Sequence, residues 1–287
     1  MLAIYKRELK AYFTSMVGYF FLAFFLVFLG IYFVVANLIQ ALANFEYVPA
    51  QMCYLFIFIV PIITMRILAE EKKQKTDQLL FTSPVSITGI VLGKYFAIVT
   101  VFLSAITIML FYPLILSQFG TISMGMAYSA ILGFFLMGCA YLAIGMFLSA
   151  VSENQIIAAV LSVLVILITN LIMGIASVLP TDSLSVWLML SFIVLVIFGI
   201  LYWNTRNLTV KLALAAIVEA IMAFLYVSKA SFYEGLIEKI CSWIAIASKY
   251  DNFSSGILDL QSCIYFISVA VVFLVITVQT LNRRRWN

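Results

Sequence analysis

Charge is missing from long stretches of this chain, and those gaps set out its architecture. Residues 11 to 45 contain no Asp, Glu, Lys or Arg, and neither do residues 95 to 152. A helix that crosses hydrocarbon needs about 20 mainly apolar residues. The first gap therefore holds one crossing, and the second holds two, joined by the turn "SQFGTISMG" at 117–125. Carried along the whole chain, the pattern predicts eight spans, at 17–39, 52–69, 90–116, 126–149, 156–178, 185–203, 210–228 and 263–281. The first apolar run is too long for a cleaved signal peptide and is expected to stay in the membrane.

Two segments show helical spacing of apolar positions instead of a continuous run. In residues 1–15, Leu2, Tyr5, Leu9, Tyr12, Phe13 and Met16 recur every three or four positions, with Lys6, Arg7 and Lys10 on the opposite side. This predicts an amphipathic helix lying flat at the membrane interface, ahead of a polytopic domain over 16–287. In 229–262, Phe232, Leu236, Ile240, Trp243, Ile244 and Ala247 make a second stripe, which predicts an interfacial helix on the opposite side of the membrane.

Composition agrees with a membrane protein. Of the 287 residues 66% are hydrophobic and 10% charged, whereas soluble domains are about half apolar and a quarter charged. The net charge of +4 is too small to indicate a nucleic-acid partner, so the basic residues matter through their placement. With eight spans, thirteen of the 16 basic residues fall on the side that carries both termini, leaving Lys229, Lys239 and Lys249 on the other. The positive-inside rule makes the first side cytoplasmic. The expected location is the cell (plasma or inner) membrane.

The densest charge lies in "EEKKQKTDQLLFTSPVSITGIVLGK", residues 70–94. Good helix formers lead up to Pro84, which disfavours helical geometry in the residue before it, so a short helix should end near Thr82 or Ser83. Ser86 is a suitable N-cap for the next helix. A charge run that only sets topology accounts for Lys72, Lys73 and Lys75. It leaves the apolar triplet Leu79, Leu80 and Phe81 unexplained, because a solvated loop would expose it; insertion at the bilayer edge or into a partner's groove would bury it. The stretch "GIVLGK" is not a P-loop: it has three residues between its glycines, Tyr95 follows Lys94, and no strand precedes it. Gly89 and Gly93 fit a close-packing helix face.

The segments "IYKRELKAYFTSMVGYFF", "PIITMRILAEEKKQKTDQLLFTSPVS", "VLGKYF" and "GMFLSAVSENQIIAAV" resemble the permease subunits of ABC-2-type transporters, in particular the gliding-motility-type (GldF-like) and NosY-like group. The likeness covers residues 1 to 175 and, more loosely, the carboxy-terminal stretch 252–286. It implies an all-α permease bundle with a six-span core and a cytoplasmic coupling helix that docks on a separate ATP-binding subunit. Carried over to this sequence, the coupling residues are Glu70, Glu71, Thr76, Asp77, Leu79, Leu80, Phe81 and Pro84. Lys75-Thr76-Asp77 departs from the relatives, which often have glycine at the first of these places. The resemblance further implies Mg-ATP on the partner and no cofactor in this chain. It implies a second permease copy or homologue, and a membrane subunit with a large extracytoplasmic domain as a further partner.

The segment 185–228 is an extra hairpin beyond the six-span core. It holds Glu219 at mid-span, where an ionised side chain costs on the order of 3 kcal/mol unless paired or protonated. A contact with a partner subunit and a protonated Glu bonded to a neighbouring group are both open readings. Asn170 and Asn37 are candidate interhelical hydrogen-bond residues. The absence of histidine removes His-based metal sites and Ser-His triads. Cys53, Cys139, Cys241 and Cys263 lack metal-type spacing and read as free thiols. The chain is thus expected to be no enzyme. The leading function is an ATP-driven permease, an exporter by analogy; the alternative is a membrane scaffold or mechanical transmission subunit with an extracellular partner. A stand-alone secondary transporter ranks third, since intramembrane ionisable and broken-helix sites are scarce.

Overall fold

The computed structural model describes residues 1–76, 85–204 and 208–286, and the described residues are helical, with no strand among them. The helices are α1 (Leu2–Thr14), α2 (Met16–Phe33), α3 (Tyr47–Met52), α4 (Phe56–Thr64), α5 (Ala69–Lys73), α6 (Ile87–Met109) and α7 (Phe111–Leu116). They continue with α8 (Met124–Val151), α9 (Gln155–Ala176), α10 (Ser183–Asn204), α11 (Leu208–Ser228), α12 (Leu236–Ile244), α13 (Asp251–Ser254) and α14 (Leu260–Trp286).

Six stretches are long and apolar enough to cross a membrane: Met16–Ile39, Tyr47–Lys73, Ile87–Leu116, Met124–Val151, Gln155–Ala176 and Leu260–Arg284. They correspond to six of the eight expected spans. The extra hairpin is present as α10 and α11, but neither helix qualifies alone among the described residues. Ser183–Val196 of α10 is a shorter apolar stretch, and Ala216–Ser228 of α11 reaches the length of a span only together with Ala230–Ile244, from which it is bent by 109°. The second span is segmented into α3, a 3₁₀ turn at Cys53–Leu55, α4 with Pro61 inside it, and, after a turn, α5. The first ends in a π turn, Val34–Ile39, where Asn37 Nδ2 donates to the Leu42 carbonyl at 2.8 Å. Asn37 therefore makes a local bond, not the interhelical one expected.

The chain divides into two compact units, residues 1–170 with 246–287, and 171–245. In the first, α8 is the central helix and packs against α3, α4, α6, α13 and α14. Its small residues let neighbours approach closely: a Cβ at Gly145 would lie 2.5 Å from Thr64 Oγ1, and one at Gly133 would lie 2.5 Å from the Phe253 ring. Phe56 stacks on Phe134 with centroids 4.6 Å apart, and Phe102 on Phe135 at 5.9 Å. Tyr141 of α8 bonds Thr169 at 3.2 Å and accepts from Asn170 Nδ2 at 3.3 Å on α9.

α1 lies on α6 and α2. The glycine pair of "GIVLGK" is the seat: a Cβ at Gly93 would meet the Met1 carbonyl at 3.1 Å and Ile4 at 3.3 Å. The apolar stripe expected to face the acyl boundary is largely spent on protein. Leu9 and Phe13 pack on the core, Tyr12 is buried and donates to the Ile63 carbonyl at 2.7 Å, and Tyr5 bonds Thr100 at 3.0 Å; Leu2 and Met16 stay exposed.

In the second unit α10 packs on α11. Trp187 stacks on Tyr226 at 5.3 Å, and Tyr233 is buried with Val186 and Ile237, its hydroxyl donating to the Met222 carbonyl at 2.9 Å. The stripe predicted from Phe232 to Ala247 is not one helix. Gly235, at φ 65°, starts α12, and Ala245 leaves helical geometry after Ile244, so Phe232 sits before α12 and Ala247 after it.

Candidate functional site

The charged residues that precede the 77–84 segment gather at one end of the first unit. The second span turns at Met65–Leu68 and re-forms as the five-residue α5. So short a helix has few internal hydrogen bonds and depends on partners for its first N–H groups. Ser149, near the end of α8, supplies them: its Oγ accepts from Leu68 N at 3.2 Å and Ala69 N at 3.1 Å, and donates to the Met65 carbonyl at 3.3 Å. Lys72, buried on the same side, donates from Nζ to the Ala150 carbonyl, a favourable place for a cation at a helix C-terminus.

α5 ends in a Schellman cap. Thr76 N donates to the Glu71 carbonyl at 2.9 Å, and Lys75 N to the Lys72 carbonyl at 3.1 Å. Lys75 occupies the left-handed position at φ 57°. The departure noted in the sequence, lysine in place of glycine, falls on the one residue of the turn that glycine suits best.

Lys94 is the centre of the site. It lies two turns into α6, only 1% exposed, and Nζ makes three bonds: to Glu71 Oε1 at 2.7 Å, the Ile67 carbonyl at 3.0 Å and Glu8 Oε1 at 3.1 Å. An ammonium has three donors, and all three are used. Arg7 closes the group, reaching Glu8 at 2.6 Å and Glu71 at 3.2 Å. Two cations and two carboxylates thus join α1, α5 and α6. Burial opposes ionisation of Glu8, but Lys94 and Arg7 outweigh it and hold the carboxyl below its ordinary value. Beside the group, Arg66 grips Glu70 through two bonds of 2.6 and 3.1 Å. A cleft of about 630 Å³ opens between α1 and α5, with Arg7, Arg66, Glu70 and Gln74 on its walls.

The structure therefore brings together Glu70, Glu71 and Thr76 of the expected coupling residues. Asp77, Leu79, Leu80, Phe81 and Pro84 lie outside the described residues. Ser86 caps α6 as expected, accepting from Gly89 N at 3.2 Å. Asn170 is apart from this group, bonded to Tyr141 and to the Ile166 carbonyl. Glu219 belongs to the second unit, partly buried, and its Oε1 has no hydrogen-bond partner among the described residues. Sequence reasoning missed Glu8, Lys94 and Ser149. The signal for Lys94 was its position: an ammonium inside an apolar helix requires a counter-charge, and Glu8 is the only acid in the N-terminal helix. No disulfide and no cluster of metal-binding side chains occurs among the described residues.

The model of a family described as ABC-2 family transporter protein matches residues 42–278, most of the chain. No curated protein matches it. With six apolar spans, α8 among them, and a charged root leading into the 77–84 segment, the chain belongs to the ABC-2 transporter family as a non-enzymatic transmembrane permease subunit, ATP hydrolysis residing on a separate subunit.

Proposed function

We propose that this chain is the membrane half of an ATP-driven exporter and that it receives the stroke of its ATP-binding partner through the segment rooted in α5. The carrying observation is the fastening of that root: Ser149 and Lys72 fix α5 to α8, while Glu71 fixes it to α6. A loop that only set topology would need no such attachments. A loop that transmits force needs a rigid base, and buried, saturated polar contacts provide one.

In this reading both termini and the α5 end face the cytoplasm, and Mg-ATP is bound and hydrolysed on the partner. Leu79, Leu80 and Phe81 supply the apolar contact with that partner. A second permease completes the route, and the chain belongs near the gliding-motility-type and NosY-like permeases, whose association with a membrane subunit carrying an external domain extends to it. The test is purification of the tagged protein from its native membrane, with and without Leu79→Asp and Leu80→Asp. An ATP-binding subunit should accompany the parent chain and be absent from the double variant at equal membrane insertion. Equal recovery with both proteins would remove the docking assignment.

A further inference from the structure

We propose that Lys94 is a positioning residue that makes α1 and α5 move as one body, so that a displacement of the α5 root is delivered to the N-terminal helix and through it to α2. The inference rests on the docking reading above and adds a destination for the stroke that the loop alone does not identify.

The geometry is specific. Lys94 is buried, and its three donors end on α1 (Glu8), on α5 (Glu71) and on the turn that precedes α5 (Ile67). Arg7 bonds the same two carboxylates from the outer side. Glu8 and Glu71 are thereby held close to each other, an arrangement that like charges oppose unless a cation lies between them. Separating α1 from α5 would leave a partly buried carboxylate or the buried Lys94 ammonium short of its counter-charge, and such a separation is costly. Movement of α1 and α5 together with the start of α6, which carries Lys94, breaks none of these bonds. α1 in turn is joined to α2 through Ser15 alone, and a Cβ at Gly18 would clash with the Tyr12 carbonyl, so the end of α1 sits directly on the start of the first span. The ion group thus links the α5 root to α2 by a second path, separate from the covalent one through α4.

The test uses the permease reconstituted with its ATP-binding subunit and spin labels at two exposed positions, Lys10→Cys on α1 and Lys73→Cys on α5, each measured against Ile156→Cys, exposed at the start of α9 and outside the contacts that fasten α5. The four native cysteines are replaced. Distances are recorded without nucleotide and with ATP and vanadate. In the parent protein both labels should shift relative to position 156 while the 10–73 separation stays constant. Lys94→Met alone leaves two carboxylates facing each other and can fail to fold, so the informative variant combines Lys94→Met with Glu8→Gln and Glu71→Gln, which removes the buried charges together. In that variant the label on α5 should still shift and the label on α1 should not.

A merely structural role for Lys94 would change yield or stability and leave the two shifts locked together. If α1 still follows α5 in the triple variant, the inference is overturned and the docking reading stands. The same holds if α5 moves alone in the parent protein. If neither label moves although the ATP-binding subunit is bound and hydrolyses ATP, the docking reading fails and this inference fails with it.

Discussion

Lys94 Nζ lies 2.7 Å from the Glu71 carboxylate across 23 residues of sequence, and the same nitrogen reaches Glu8, 86 residues away, at 3.1 Å. One ammonium therefore ties together three helices that are widely separated in the chain. Its replacement exposes how much of this end of the bundle depends on it.

Lys94→Met removes the cation and keeps the volume of its stem. Two partly buried carboxylates are then left with Arg7 alone, and the expected loss is about 3 kcal/mol or more, in the range for breaking a buried ion pair from one side. Unfolding of the purified protein in detergent measures it. Adding Glu71→Gln to Lys94→Met should recover part of the loss; a double variant no more stable than the single one would contradict the pairing.

Lys75→Gly should stabilise the protein. A non-glycine residue at φ 57° bears a left-handed penalty of about 1–2 kcal/mol, part of which glycine returns as extra freedom in the unfolded chain. The net gain expected is about 0.5–1 kcal/mol, read as a rise in midpoint temperature. Lys75→Ala, which keeps the penalty and loses the charge, is the control and should show no gain.

Ser149→Ala leaves the N–H groups of Leu68 and Ala69 without their acceptor at the start of α5. Loss of a buried acceptor costs about 1–3 kcal/mol. Faster hydrogen exchange confined to residues 68–73, with the centre of α8 unchanged, would mark the effect as local to α5.

The response to acid follows from Glu8. Its carboxyl is held below the ordinary value of 4.5 by Lys94 and Arg7 against the opposing effect of burial. A depressed folded-state pKa gives stability that is present above the unfolded value and is lost as pH falls through the folded one. Glu8→Gln should therefore be less stable than the parent at pH 7, and the two unfolding curves should approach each other as the pH drops below 4.5. A gap that stays constant over that window would show that the carboxylate charge is not what the site uses.

The membrane spans were legible because hydrocarbon excludes charge, and the charge-free gaps in the sequence mark six of them directly. Ser86 and the pair Gly89 and Gly93 were legible for a similar reason: a cap and a close-packing face are properties of a few adjacent residues. The ion group was not legible, since Glu8, Glu71 and Lys94 meet only after α1 has settled on α6. The same docking covers part of the stripe of α1. Helical spacing shows that one side is apolar but does not show whether lipid or protein covers it, and here Tyr5 and Tyr12 make hydrogen bonds that lipid tails cannot offer. In 232–247 the spacing was helical, yet Gly235 and Ala245 interrupt the helix where only backbone geometry reveals it.

α8 also has a mechanical property that follows from its length. It runs for 28 residues, about 42 Å at 1.5 Å per residue. Ser149 and Ala150, which hold α5, are at one tip, and near the other Met126 abuts Gly256, with no room there for a Cβ. A stiff rod gripped at both tips behaves as a lever: a tilt of about 5° pivoting at the α5 tip carries the opposite tip through about 4 Å over that length. Small rotations where α5 is held can thus become displacements larger than a bond length at the opposite tip.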